Sequence, residues 1–205
     1  MTLINTATPG PLSLLVVDAS KNRDGWEHAM TRDLCATLKA VGISLVGESP
    51  YLPMNVGTFD DVFRGHATDG WNGLLLVSHG APPRKPGDAA VLRIGDLRTN
   101  WFLANAVPMN LNDKAVFLAI CSGACEDAIW VLLREQLALT ITGSNTSLSG
   151  REVREFFPAF LIDVDQASKA HGQITPEALR VAAERHAGRA NNKIKVLSAV
   201  GFAKE

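Results

Sequence analysis

Two short apolar runs, each ending in a reactive side chain, constrain the fold of this chain more than any other feature. Residues 74–77 are wholly apolar and lead through Ser78 into His79 and Gly80, while residues 115–120 are wholly apolar and lead into Cys121. Each run has the length and bulk of a fully buried strand. If both strands lie in one parallel sheet, the imidazole and the thiol emerge together at its carboxyl edge, where open α/β sheets carry their chemistry.

Predicted strands and helices alternate along the whole chain. The strands are predicted at residues 12–17, 43–46, 74–78, 91–94, 115–120, 139–142 and 194–200, and the helices at 24–40, 58–67, 97–107, 124–137, 151–169 and 176–187. This alternation predicts an α/β fold in which helices cover both faces of a mostly parallel sheet. We expect one domain over residues 1–205, with a flexible N-terminal segment at 1–11 and an exposed proline-rich loop at 81–87.

Composition and charge exclude several classes of function. The net charge of −1 leaves no basic footprint for nucleic acid and no polybasic patch for a membrane surface. Three cysteines are too few, and odd in number, for a disulfide framework, and they suit a reducing compartment. The spacing of Cys121 and Cys125 does not match a zinc site, so no metal or cofactor is expected. The absence of a signal sequence and of a long apolar stretch predicts a cytoplasmic protein.

The pairing of a His with a Cys points to nucleophilic catalysis, since a nearby base can activate a thiol. A helix predicted to begin near residues 122–124 would place Cys121 at its N-terminus, where the helix dipole favours the thiolate. The N–H groups of Gly80 and Cys121 would then form an oxyanion hole. His79 would deprotonate the thiol, protonate the leaving amine, or do both. Taken alone, Cys121 would more simply be a small buried hydrophobe.

The two blocks, apolar–His79–Gly80 and then apolar–Ala119–Ile120–Cys121, resemble those of the caspase-like (clan CD) cysteine peptidases. Among these, the chain is most similar to the bacterial CHAT-domain proteases. The resemblance implies a caspase-like three-layer sandwich, a catalytic pair of His79 and Cys121, and an oxyanion hole beside Gly80. It also implies a protein or peptide substrate, cleaved through an acyl-enzyme. Compact bacterial members often act beside a separately encoded regulatory protein, including in defence systems.

The resemblance also suggests where a substrate would be held. Asp18 ends the first predicted strand, which lines the specificity pocket in this family, and its carboxylate would suit an Arg or Lys side chain. An ordinary strand-end or N-cap aspartate is an equal alternative. Ile120 occupies the position before the nucleophile, where the family has other residues, which leaves the substrate preference open. Ser144 and Asn145 follow another predicted strand and would contact the substrate backbone, although ordinary loop residues need no such role.

Two other functions fit parts of the pattern. A Cys-nucleophile amidase or glutaminase of another α/β class would use a nucleophile elbow, with its histidine later in the chain at His171 or His186. The elbow motif is imperfect here because residue 119 is alanine. The third possibility is a binding or scaffold module that keeps the fold without turnover, because loops at a sheet edge often bind partners.

Overall fold

The computed structural model describes residues 7–21, 23–66, 70–85, 88–101 and 111–198, with the side chains of 63–66 left out. The strands, in chain order, are β1 Thr8–Pro9, β2 Ser13–Asp18, β3 Ser44–Leu45, β4 Gly73–Val77, β5 Gly80–Ala81, β6 Val91–Ile94, β7 Leu97–Asn100, β8 Ala115–Ala119, β9 Thr140–Ser144, β10 Gln173–Ile174 and β11 Ile194–Ser198. The α-helices are α1 Trp26–Ala40, α2 Val56–His66, α3 Glu126–Ile129, α4 Gly150–His171 and α5 Pro176–Arg185. A π-helix at Trp130–Glu135 continues α3, and a 3-10 helix covers Ala187–Ala190.

The main sheet has six strands in the order β11-β9-β8-β4-β2-β3. All neighbouring pairs are parallel except β11 with β9, which is antiparallel. The α/β class and the mostly parallel sheet predicted from the sequence are therefore confirmed. The arrangement is compatible with a three-layer sandwich.

Helices cover both faces of this sheet, which explains why β4 and β8 are apolar at every position. Leu75 and Phe117 pack with residues of α1 and α4 in one core, while Leu74, Leu76 and Leu118 pack with residues of α2 and α3 in the other. Side chains alternate between the faces of a strand, so a strand buried on both sides must be apolar throughout. The uninterrupted apolar runs in the sequence thus result from burial of these strands on both faces of the sheet.

A second, three-stranded antiparallel sheet lies beside the main one, in the order β5-β6-β7. Here the sequence prediction of a helix over residues 97–107 is wrong for its first part, because residues 97–100 form β7. The reason is a two-residue hairpin loop at Gly95 and Asp96, in which Gly95 takes a φ of +57°. A glycine at the first loop position suits a tight hairpin. Residues 102–107 of that predicted helix lie outside the described residues.

The N-terminal segment and the proline-rich loop differ in part from expectation. Thr8 and Pro9 pair with Ile174 and Gln173, and Asn72 donates to the carbonyls of Pro9 and Pro11. This part of the segment is therefore attached to the rest of the chain rather than loose. Residue 81 belongs to β5, whereas residues 82–85 form an exposed loop as predicted. Among the helices that the structure describes, none combines the length and the apolar character needed to cross a membrane.

Candidate active site

His79 and Cys121 lie at the same edge of the sheet, as the sequence predicted. β4 and β8 are parallel neighbours whose last paired residues are Val77 and Ala119, so each reactive residue follows its strand end by two positions. Both side chains line a small cavity of about 40 Å³ between the beginnings of α1 and α4. The fold therefore gives the imidazole and the thiol a common surface.

The imidazole of His79 is held by a carboxylate from another element. Its Nε2 atom lies 2.8 Å from Oε1 of Glu27, in the first turn of α1, and the two side chains are 43% and 20% exposed respectively. A carboxylate only accepts hydrogen bonds, so Nε2 is the donor in this contact. In the neutral ring, the other nitrogen, Nδ1, is then the acceptor. This contact orients the ring and fixes its tautomer, as a base in a catalytic pair requires.

The thiol of Cys121 contacts the loop that precedes α4 rather than the imidazole. The Leu148 N–H donates to Sγ at 3.3 Å, and Sγ lies 3.4 Å from the Leu148 carbonyl oxygen. Sγ and the His79 ring do not hydrogen-bond to each other in this structure. Catalytic hydrogen bonds are often long or misaligned without substrate, so a rotation of the thiol away from Leu148 would be part of forming the pair.

The predicted placement of Cys121 at a helix N-terminus is wrong. The residues after Cys121 form a turn closed by the Gly123 N–H donating to the Ile120 carbonyl at 3.1 Å, with Ser122 at a φ of +55°. The Ser122 N–H donates to the Thr146 carbonyl after β9, and the Ala124 N–H donates to the carbonyl of Ser144, the last residue of β9, so neither starts a helix. The helix α3 begins only at Glu126 and has four residues. A dipole effect fades within one turn, so it does not act on this thiol.

The backbone N–H groups of Gly80 and Cys121, which the sequence predicts as oxyanion donors, do not pair with a neighbouring strand. The Arg93 N–H donates to the His79 carbonyl at 2.9 Å, which makes residues 79 and 93 a hydrogen-bonded pair of the β5–β6 ladder. Bonded and non-bonded pairs alternate in an antiparallel ladder, so the Gly80 N–H points away from β6. The Cys121 N–H has no hydrogen-bond partner among the described residues.

Gly80 also sets how closely the two loops approach. A Cβ atom built on Gly80 would lie 2.2 Å from the Cys121 carbonyl oxygen and 2.8 Å from Cγ2 of Ile120. Only glycine permits this contact, because the loop carrying His79 and the loop carrying Cys121 touch through backbone here. The sequence His79-Gly80 thus has a packing reason in addition to its proposed chemical one.

Most of the residues predicted to bind a substrate are buried in the structure. Asp18 is completely buried, and its carboxylate accepts from the Ser20 N–H at 2.9 Å and contacts Nδ1 of His28 at 3.1 Å. Ile120 and Ser144 are also buried. Direct contact of these three side chains with a substrate is therefore not supported. Asn145 is exposed, but it lines a separate groove of about 760 Å³.

Glu27 is the functional residue that sequence reasoning missed. It lies 52 residues before His79, and no local pattern connects the two. A signal was nevertheless present, because the helix after the first strand of a parallel sheet begins at the carboxyl edge, and Glu27 is in its first turn. Ser20 was also missed: it lines the same cavity, it is 2% exposed, and its hydroxyl has no hydrogen-bond partner among the described residues.

The other cysteines, Cys35 and Cys125, and the downstream histidines, His171 and His186, do not line this cavity. Burial raises the pKa of the Cys35 and Cys125 thiols, which keeps them protonated at neutral pH. His186 contacts Asp163 at 3.1 Å, and His171 is exposed at the end of α4, so neither lines the cavity beside Cys121. In the part of the chain that the structure describes, no three His, Cys, Asp or Glu side chains are grouped as metal ligands would be.

Comparison of the sequence with models of protein families and with curated proteins finds no match.

Proposed function

We propose that this chain is a cysteine endopeptidase with a caspase-like sandwich of the CHAT type, in which Cys121 is the nucleophile and His79 transfers protons. One observation carries the proposal: two adjacent parallel strands deliver His79 and Cys121 into one cavity, and Glu27 orients the imidazole. A nucleophile, a base and a group that orients the base are the parts that covalent catalysis needs. The substrate is a protein or a peptide.

The reaction would run through an acyl-enzyme. His79 takes the thiol proton at Nδ1, and the Cys121 sulfur forms a bond to the peptide carbonyl carbon, whose oxygen accepts from the Gly80 and Cys121 N–H groups. The tetrahedral intermediate breaks its C–N bond as the protonated imidazole returns a proton to the leaving amine. Water, deprotonated by His79, then attacks the acyl carbon, the C–S bond breaks as the acid product forms, and the protonated imidazole returns its proton to the Cys121 sulfur. Throughout these steps, Glu27 accepts from Nε2–H and stabilises the positive charge on the ring.

The geometry favours this proposal over the amidase alternative. A nucleophile elbow leads directly from strand to helix, whereas here a turn separates Cys121 from α3, which begins at Glu126. The histidines that an elbow enzyme would use lie elsewhere. A scaffold role would not require a carboxylate on the imidazole of His79.

The experiment is a peptide-library cleavage profile of the purified chain, compared with Cys121→Ala, His79→Ala and the matched control Cys125→Ala. We expect cleavage by the wild-type chain and by the control, and none by the two active-site variants. Undiminished cleavage in Cys121→Ala would overturn the nucleophile assignment. Full activity in His79→Ala would favour an enzyme of the elbow type, and no cleavage by the wild-type chain would refute the peptidase proposal.

A further inference from the structure

Three cationic or ionisable side chains lie in one row across the small antiparallel sheet. His79 is opposite Arg93, as their backbone hydrogen bond of 2.9 Å shows, and Arg93 is opposite Arg98 in the β6–β7 register. Neighbouring strands are about 5 Å apart, and residues directly opposite each other project from the same face of a sheet. The row therefore places two guanidinium groups successively farther from the imidazole, on one face.

This face is open, whereas the other face is part of the core. Leu92 and Ile94 are buried, while Arg93 is half-buried and Arg98 is exposed. The open face forms a cavity of about 310 Å³ lined by His79, Gly80, Ala81, Val91, Arg93 and Arg98. It thus adjoins both the proposed base and one proposed oxyanion donor, and it shares His79 with the cavity that contains Cys121 and Glu27.

The charges on this face are not balanced within the described residues. Like charges directly opposite each other destabilise a strand pair. Neither Arg93 nor Arg98 forms an ion pair with a described acidic residue. Two acidic groups on neighbouring segments are already engaged, since Asp96 in the hairpin loop pairs with Lys21 at 3.2 Å and Glu27 pairs with His79 at 2.8 Å. The hairpin therefore carries two guanidinium groups that have no acidic partner in the described part of the chain, in the same row as His79.

We propose that Arg93 and Arg98 bind a carboxylate of the substrate, so that the peptidase prefers an acidic residue close to the scissile bond. The inference rests on the proposed function. A guanidinium presents a planar fork of donors that matches a carboxylate, and two of them in a partly enclosed cavity select strongly for negative charge. The row begins at His79, so the bound carboxylate belongs to a residue near the bond that is cut. Buried Asp18 offers no competing site for a basic residue.

The test measures kcat/KM for matched peptides that carry Asp, Asn, Ala or Lys in turn at each position within three residues of a cleaved bond. The enzymes are the wild-type chain, Arg93→Gln, Arg98→Gln, and Arg180→Gln as the control, an arginine on α5 whose partners are Glu177 and Glu184. We expect a preference of at least about tenfold for Asp over Asn at one position, lost in Arg98→Gln and Arg93→Gln and kept in the control. The preference should also weaken as ionic strength rises.

One additional variant and one additional set of peptides extend this test. Arg98→Glu is expected to invert the preference toward the Lys peptide, and circular dichroism checks that this exposed substitution leaves the fold intact. Peptides in which the acidic residue is internal or terminal separate a side-chain carboxylate from a chain-terminal one, and a preference in either set supports a carboxylate site.

Equal cleavage of Asp and Asn peptides by the wild-type chain would overturn this inference while leaving the peptidase proposal standing. A preference for Asp that persists in both arginine variants would likewise overturn the role of Arg93 and Arg98. If no peptide is cleaved, the peptidase proposal fails and this inference fails with it.

Discussion

The substitution Gly80→Ala perturbs the contact that brings the two catalytic loops together. The added Cβ would lie 2.2 Å from the Cys121 carbonyl oxygen, whereas ordinary contact begins at 3.4 Å. The loops must therefore separate by about 1.2 Å at this point. Neither side can avoid the clash by rotating a side chain, because the Cβ is fixed to the backbone and the oxygen it meets is a backbone atom.

A misplacement of about 1 Å between reacting groups can lower a rate on the order of 100-fold. We therefore expect kcat/KM of Gly80→Ala to fall about 100-fold, which corresponds to about 2.7 kcal/mol of transition-state stabilisation. The added methyl group should also lower the free energy of unfolding by about 1–3 kcal/mol, as overpacking does. Urea denaturation gives the folded fraction of the variant, so that a loss of rate in folded protein reports geometry rather than unfolding.

The assay combines peptide-cleavage kinetics with urea denaturation of the same preparation. The matched control is Gly188→Ala, where a Cβ would meet no atom within 4 Å and φ is not positive. The control is expected to keep its rate within about twofold, since nothing obstructs the new atom. A Gly80→Ala variant that is folded and cleaves at more than a third of the wild-type rate would refute the reasoning that this backbone contact positions His79 and Cys121.

Three further outcomes are expected. Glu27→Gln should lower kcat on the order of tenfold without moving the urea midpoint, because it removes the charge that stabilises protonated His79. Burial would raise the pKa of Glu152, but hydrogen bonds from Lys193 and its other partners outweigh this and hold it at about 2. The ionised Glu152 carboxylate therefore stabilises the fold fully above its unfolded pKa near 4.5, and this stabilisation is lost as the pH falls toward 2. We expect Glu152→Gln to lower the free energy of unfolding by about 2–3 kcal/mol at pH 7 and by much less at pH 3, as measured by urea denaturation. Phe160→Ala, which removes a buried ring 5.6 Å from that of Phe117, should cost about 3–5 kcal/mol by thermal or urea unfolding.

The central strands were predictable because burial on both faces of the sheet requires apolar residues at consecutive positions. Six consecutive apolar residues before Cys121 have few alternatives to a buried strand, and a parallel sheet then brings its end beside His79. The juxtaposition of His79 and Cys121 follows from that geometry alone. Their surroundings do not, because they depend on contacts between residues far apart in sequence.

The sequence-based predictions that were wrong failed for specific physical reasons. Residues 97–100, predicted to begin a helix, form a strand instead. The turn formed by Gly95 and Asp96 pairs this segment with β6, and that pairing overrides the helix-like spacing of its apolar residues. The helix expected to begin near residues 122–124 starts only at Glu126, because the Ser122 and Ala124 N–H groups donate to the carbonyls of Thr146 and Ser144. Asp18 was expected either to contact a substrate or to be an ordinary strand-end aspartate, and the second holds, because His28 and the Ser20 N–H occupy its oxygens inside the protein.

The most direct test of the central claim, that Cys121 is a nucleophile served by His79, is covalent labelling with a peptide chloromethyl ketone at neutral pH. Intact-mass and peptide-mapping spectra would be recorded for the wild-type chain and for His79→Ala. We expect one addition, at Cys121, while Cys35 and Cys125 stay unmodified because burial raises the pKa of their thiols. In His79→Ala the labelling of Cys121 should slow by at least tenfold. Equal, slow labelling of all three thiols, or a rate at Cys121 that does not change without His79, would contradict the account.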